Sequence, residues 1–68
     1  MKKRISVLIP TYNEEENVVP LSEAIVAEFQ KNLPQYEYEI VFIDNDSTDT
    51  TRDKIRMICK KDPQIKAI

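Results

Sequence analysis

Ile40-Val41-Phe42-Ile43-Asp44-Asn45-Asp46-Ser47-Thr48-Asp49 is the stretch that decides the fold. Four consecutive apolar residues run directly into a carboxylate-rich turn. A short apolar run closed by turn residues reads as a strand buried on both faces, the habit of a parallel sheet with helices on each side. The Ser/Thr/Asp-rich segment after it becomes helical, so the turn leads into a helix. In an open α/β sheet, ligands bind beyond the carboxyl ends of the strands, which places Asp44, Asn45 and Asp46 at the edge where a small molecule is met.

Working back from that strand, Ile5-Ser6-Val7-Leu8-Ile9 is a second, nearly continuous apolar run, suited to the same two-sided burial and ended by Pro10, which cannot donate to a ladder. Thr11-Tyr12-Asn13-Glu14-Glu15-Glu16-Asn17 is a polar loop on the same edge as Asp44. A helix starts with Asn17 as N-cap and Pro20 in its first turn. Val18, Leu21, Ile25 and Phe29 form its apolar stripe, with Ser22, Glu23, Glu28 and Lys31 off it. Asn32-Leu33-Pro34 closes this helix. Residues 35–38 form a connector whose Tyr36 and Tyr38 cover the lower edge of the sheet, and the central strand covers 39–43.

Forward from the central strand, a second helix opens near Thr48 or Asp49, with Asp53 favourable in its first turn. Ile55, Ile58 and Cys59 supply its apolar face, Lys60 and Lys61 suit its C-terminus, and Pro63 stops it. A third strand begins near Ile65. The order is β-α-β-α-β with parallel, right-handed crossovers, a Rossmann-like arrangement.

Size and composition set bounds. A chain of 68 residues buries only about 60% of its unfolded surface, and one cysteine, no histidine and no glycine leave no staple or metal cage. Residues 1–68 are therefore expected to be the opening segment of a larger domain. Their uncovered sheet surfaces invite self-association. The net charge of −2 argues against nucleic acid as a partner, which clustered Lys and Arg would bind. Met1-Lys2-Lys3-Arg4 is basic, but the apolar run after it is too short for a signal peptide or a membrane span. Cys59 reads as a small core hydrophobe in a reducing compartment.

The two strand-end loops together offer an aromatic face, hydroxyl and amide groups, and acceptor carboxylates. A base with a ring N–H and a ribose with hydroxyls want that set, with Tyr12 against the base. Each residue taken singly is also an ordinary turn or capping residue. Without glycine, the dinucleotide fingerprint and the P-loop are excluded. Neither loop holds a lysine, so a pyrophosphate facing Glu14, Asp44 and Asp46 would need a divalent cation. An EF-hand lacks its glycine and closing glutamate. Asp44-x-Asp46-x-Thr48 after a strand resembles the haloacid-dehalogenase motif, with Asp44 as nucleophile and Asp46 as acid/base; Asp49 stands in that motif's apolar slot. Arg52, Lys54 and Arg56 read as a solvated helix face.

Val7-Leu8-Ile9-Pro10-Thr11-Tyr12-Asn13-Glu14-Glu15-Glu16-Asn17, followed by Val41-Phe42-Ile43-Asp44-Asn45-Asp46-Ser47-Thr48-Asp49-Thr50-Thr51, resembles the start of a family-2 glycosyltransferase of GT-A fold, most closely its polyprenol-phosphate branch. The resemblance covers almost the whole chain. It implies a transferase that moves a sugar from a nucleotide-sugar, UDP-glucose or a relative, to a polyprenyl phosphate at the cytoplasmic face of a membrane. Residues 1–68 would be the nucleotide-binding part and inactive alone. The resemblance also implies that Pro10, Thr11, Tyr12 and Glu14 form the first nucleotide-contacting loop and that Asp44 and Asn45 read base and ribose. Mg or Mn is implied as cofactor, its ligands and the catalytic base lying after later strands. Two positions depart from the family's habit: Asn45 stands where Asp is common, and Asp46 where Gly is common.

Overall fold

The computed structural model describes residues 3–68, so the basic start at Met1 and Lys2 lies outside the described residues. The elements run β1 (Arg4–Thr11), α1 (Val18–Asn32), β2 (Glu37–Asp44), α2 (Thr51–Lys61) and β3 (Ile65–Ala67). The three strands form one parallel sheet in the order β1-β2-β3. This is the Rossmann-like β-α-β-α-β arrangement expected from the sequence.

Each crossover steps to the next strand in the same direction. Right-handed connections then place both helices on one face of the sheet. The core bears this out: Val18 and Ile55 from the helices pack with Ile40, Phe42 and Ile65, and Ile9, Ile25, Val26, Tyr38, Ile58 and Cys59 surround them. Two-sided burial therefore holds only for the middle of β2, where Ile40, Val41 and Phe42 are all buried. In β1 burial alternates, and Leu8 remains 62% exposed. Val41 and Leu8, paired in register, lie on the helix-free face, which ion pairs and a hydrogen bond occupy toward its N-terminal end: Ser6 and Lys66 with Glu39, and Arg4 with Glu37.

Pro10 does not end β1. The ladder continues through Pro10↔Ile43 and Thr11↔Asp44. The carbonyls of Lys3 and Thr11 accept from the N–H groups of Glu37 and Asn45, so the odd-numbered residues of β1 turn their main chain toward β2. The missing N–H of Pro10 falls on the outer edge, where it costs nothing.

α1 is rotated from the expected stripe. Ser22 is fully buried while Leu21 is 40% exposed. Val18, Ser22, Ile25, Val26 and Phe29 make the inner face, and the Ser22 hydroxyl donates to the Val19 carbonyl, which satisfies it without a partner from the sheet. Tyr38 belongs to β2 rather than to the connector, and its ring stacks on Phe29 with centroids 4.7 Å apart. Burial pushes its phenol, and the thiol of half-buried Cys59, upward. Among the described residues no helix is long and apolar enough to cross a membrane.

Candidate functional site

Register brings the carboxyl ends of β1 and β2 level, so Thr11 and Asp44 are direct neighbours. The buried Thr11 hydroxyl donates to Asp44 Oδ1 at 3.0 Å. The Asp44 side chain is 9% exposed and also accepts from the Ser47 hydroxyl and from the Ser47 N–H, the latter at 2.9 Å. Arg52 Nε completes the set at 2.9 Å. Bonds from Ser47, Arg52 and Thr11 outweigh desolvation and hold the Asp44 carboxyl well below the usual carboxylate range.

The loops after β1 and β2 are stitched together side chain to main chain. Asn13 adopts a left-handed conformation, φ 50°, which Asn tolerates better than most residues. Its main-chain N–H donates to Ser47 Oγ, and its Oδ1 accepts from Thr48 N–H at 2.8 Å. Glu15 Oε2 accepts from the N–H and hydroxyl of Thr50, the residue that precedes α2. This supplies from a distant loop the carboxylate that a capping box supplies locally, and these bonds lower the Glu15 carboxyl. Thr51, wholly buried, accepts from Glu14 N–H at 2.9 Å and donates to Asp49 Oδ1. Although desolvation opposes it, bonding to Thr51 lowers the Asp49 carboxyl. Lys54 Nζ donates to the Glu15 carbonyl at 2.8 Å.

These bonds explain why α2 starts at Thr51 and not at Thr48 or Asp49. Residues 47–50 are spent on the neighbouring loop before a helix can begin. They also correct the reading of a solvated basic face. Lys54 is a tie between loops, and Arg52 pairs with both Asp44 and Asp46. Only Arg56, exposed and 3.7 Å from Asp53, fits that description.

The six candidate residues are not equally placed. Thr11, Asp44 and Asn45 form one unit, since the Asn45 N–H donates to the Thr11 carbonyl at 2.8 Å and its side chain is exposed. Tyr12 is 57% exposed beside them. Pro10 and Glu14, with Thr11, Asn17, Val18 and Leu21, line a hollow of about 220 Å³ on the outer edge of β1. Glu14 is occupied with the start of α1: its carbonyl accepts from Asn17 and Val18, and its carboxylate from Asn17 Nδ2. Asn17 precedes α1 as expected but makes no side-chain cap bond. Asp44 opens on a larger groove, about 660 Å³, between α2 and β3.

Sequence reasoning missed Asn13, Glu15, Ser47, Asp49, Thr51 and Arg52. The run of Ser, Thr and Asp before α2 was the available sign, since such side chains seek main-chain partners. Its partners in the first loop lie more than thirty residues away and left no local trace. Asp46 has φ 56°, so the turn keeps the left-handed geometry that the family's glycine would supply.

No group of three or more Asp, Glu, His or Cys among the described residues could hold a metal ion. The Asp44-Asn45-Asp46 turn does not fit one, because a guanidinium already bridges its two carboxylates.

Over residues 6–68 the sequence matches glycosyl transferase family 2; the chain belongs to that family. Among its relatives is a bactoprenol glucosyl transferase of Shigella phage SfV, 42% identical over 62 residues, 91% of this chain and 20% of the relative. A dolichol-phosphate mannosyltransferase of Pyrococcus furiosus is 40% identical over 60 residues, 88% of this chain and 16% of the relative. The chain spans about a fifth of the length of the curated relatives it matches. The phosphohydrolase reading loses its support: Asp44 sits on the second strand with both oxygens engaged, and the family is a transferase family.

Proposed function

We propose that the protein is a glycosyltransferase that moves a sugar from a nucleotide-sugar, UDP-glucose or a relative, to a polyprenyl phosphate at the cytoplasmic face of a membrane. Residues 1–68 supply the nucleotide-binding part. The observation that carries this reading is the Thr11–Asp44 unit at the level ends of β1 and β2, with Tyr12 and Asn45 exposed around it. The names of the relatives, which pair a sugar with bactoprenol or with dolichol phosphate, support the acceptor class.

Each residue has a role that follows from its chemistry. Asp44, ionised throughout the physiological range, accepts the ring N–H of a base. Asn45 reaches the ribose hydroxyls with an amide that can donate and accept. Tyr12 offers its ring to the base face. Thr11 fixes the rotamer of Asp44, and Pro10 and Glu14 hold the loop and the start of α1 behind it. By family resemblance, the catalytic base and the groups that neutralise a departing nucleoside diphosphate lie after later strands. The Mg or Mn implied by family resemblance has no ligand set among residues 3–68, and its place in the proposal rests on that resemblance alone.

The test is Asp44→Asn in the full-length protein, with binding of UDP and UDP-glucose followed by calorimetry. Loss of a charge-assisted bond predicts about a tenfold or greater loss of affinity with the far-UV circular dichroism unchanged. Unchanged affinity would remove Asp44 from the site and the proposal with it.

A further inference from the structure

Arg52 is the second residue of α2 and half exposed, yet it is the cation nearest the centre of the site. Its Nε lies 2.9 Å from Asp44 Oδ2 and its Nη2 lies 2.8 Å from Asp46 Oδ1. Asp44 then has four donors: Thr11 Oγ1 and Ser47 Oγ on Oδ1, Ser47 N–H and Arg52 Nε on Oδ2. A carboxylate offers about four acceptor positions, so all are taken. An incoming N–H that is to bond Asp44 must replace one of these donors.

The four are not equally replaceable. Thr11 is buried at the end of β1, and both Ser47 donors belong to the turn itself. Displacing any of them would leave a part-buried polar group without a partner. The side chain of Arg52 is 53% exposed, and that of Asp46, its second anchor, is 98% exposed. The guanidinium can pass to water, or stay on Asp46, without orphaning anything buried.

We propose that Arg52 is a displaceable counter-ion of the nucleotide site, a positioning residue that fills the outer acceptor of Asp44 in the free protein and yields it to the ring N–H of a uracil-type base. This rests on the reading of Asp44 as the base acceptor. It makes nucleotide affinity the difference between two competing bonds, so Arg52 sets that affinity without needing to touch the ligand. The uncharged nucleoside senses the competition alone, whereas a nucleoside diphosphate also senses the positive charge.

The experiment is calorimetry of uridine and of UDP on the full-length protein, wild type, Arg52→Ala and Arg52→Lys, at about 20 mM and about 300 mM NaCl, a range that screens exposed ion pairs. Arg52→Ala should bind uridine about three- to fivefold more tightly than wild type, the scale of an exposed ion pair. The gain for UDP should be smaller, because a cation has been lost. Added salt should tighten uridine binding to wild type and leave Arg52→Ala unchanged. Arg52→Lys, which keeps the charge but not the fork, should fall between the two. Uridine affinity that is equal or weaker in Arg52→Ala, with an unchanged melting temperature, overturns the inference. If Arg52→Ala fails to fold, the salt response of wild type and the affinity of Arg52→Lys decide in the same way. Wild type that binds neither ligand overturns the proposed function and this inference together; wild type that binds both while the variants match it overturns only this one.

Discussion

Replacing Thr51 by Val tests whether the stitching of the two loops holds the site together. The two side chains have the same shape, so no cavity opens, and what is lost is the hydroxyl. That hydroxyl sits in a wholly buried residue, accepts from Glu14 N–H at 2.9 Å and donates to Asp49. Losing both bonds and leaving the part-buried Glu14 N–H without its acceptor costs about 2 kcal/mol. Thr51→Ser keeps both bonds and removes only a buried methyl, about 1 kcal/mol. Urea unfolding followed by far-UV circular dichroism reads the difference. With a slope near 1 kcal/mol per molar, the midpoint should drop by about 2 M for Val and about 1 M for Ser. A Val variant as stable as the Ser variant, or more so, would refute the claim that the hydroxyl, and not the packing of its methyl, joins the loops.

If the Tyr12 ring packs on the base, Tyr12→Ala should weaken uridine nucleotide binding by about 1–3 kcal/mol, by analogy with base–aromatic stacking, and Tyr12→Phe should bind like wild type; equal losses in calorimetry would assign the role to the hydroxyl. Asp44, Asp49 and Glu15 all have carboxyls lowered by the fold from ordinary values of 3.8, 3.8 and 4.5. Their contribution is complete above those unfolded values and is lost as pH falls through the lower, folded ones. Urea midpoints should accordingly be flat from about pH 7 to about pH 5 and fall below that range, and a midpoint that stays level to about pH 3 would count against the network. Asp46→Gly should leave stability close to wild type, since glycine accepts φ 56° freely, whereas Asp46→Val should lose about 1–2 kcal/mol; equal melting temperatures for the two would show that the turn is not left-handed in solution.

The strands, their order along the chain and the edge that carries the site are legible because they depend on local patterns: an apolar run, a proline, a carboxylate-rich turn. Boundaries were less so. Pro10 reads as a stop until the strand is known to lie at an edge with its N–H side outward. Ser22 reads as solvent-facing until α1 is seen with its neighbours, because a serine that bonds its own helix can be buried. The position of Asp44 at a strand end could be read from the apolar run before it. The place of Arg52 could not, since an arginine on a helix looks the same whether it faces water or an acid eight residues back. Glu15 was counted with an acidic loop, and only the packing of two crossovers shows that it serves the start of another helix.

The distances along the chain between the groups that build the site have a consequence for how the protein is made. Thr11 meets Asp44 across 33 residues, Asn13 meets Ser47 across 34, and Glu14 meets Thr51 across 37. None of these bonds belongs to a helix or a hairpin that can form early. Each requires a loop of that length to be closed first, an entropic cost that precedes any reward and slows parallel pairing in particular. A nascent chain that has emerged only as far as Asp44 holds both strands of the site but neither Ser47 nor Thr51 to lock them. During synthesis the loops therefore acquire their geometry in one late, cooperative step, after α2 is free of the ribosome. Until then Ile40 and Phe42, which pack against Ile55 of α2 in the folded chain, stand open to whatever chaperone or neighbouring chain is at hand.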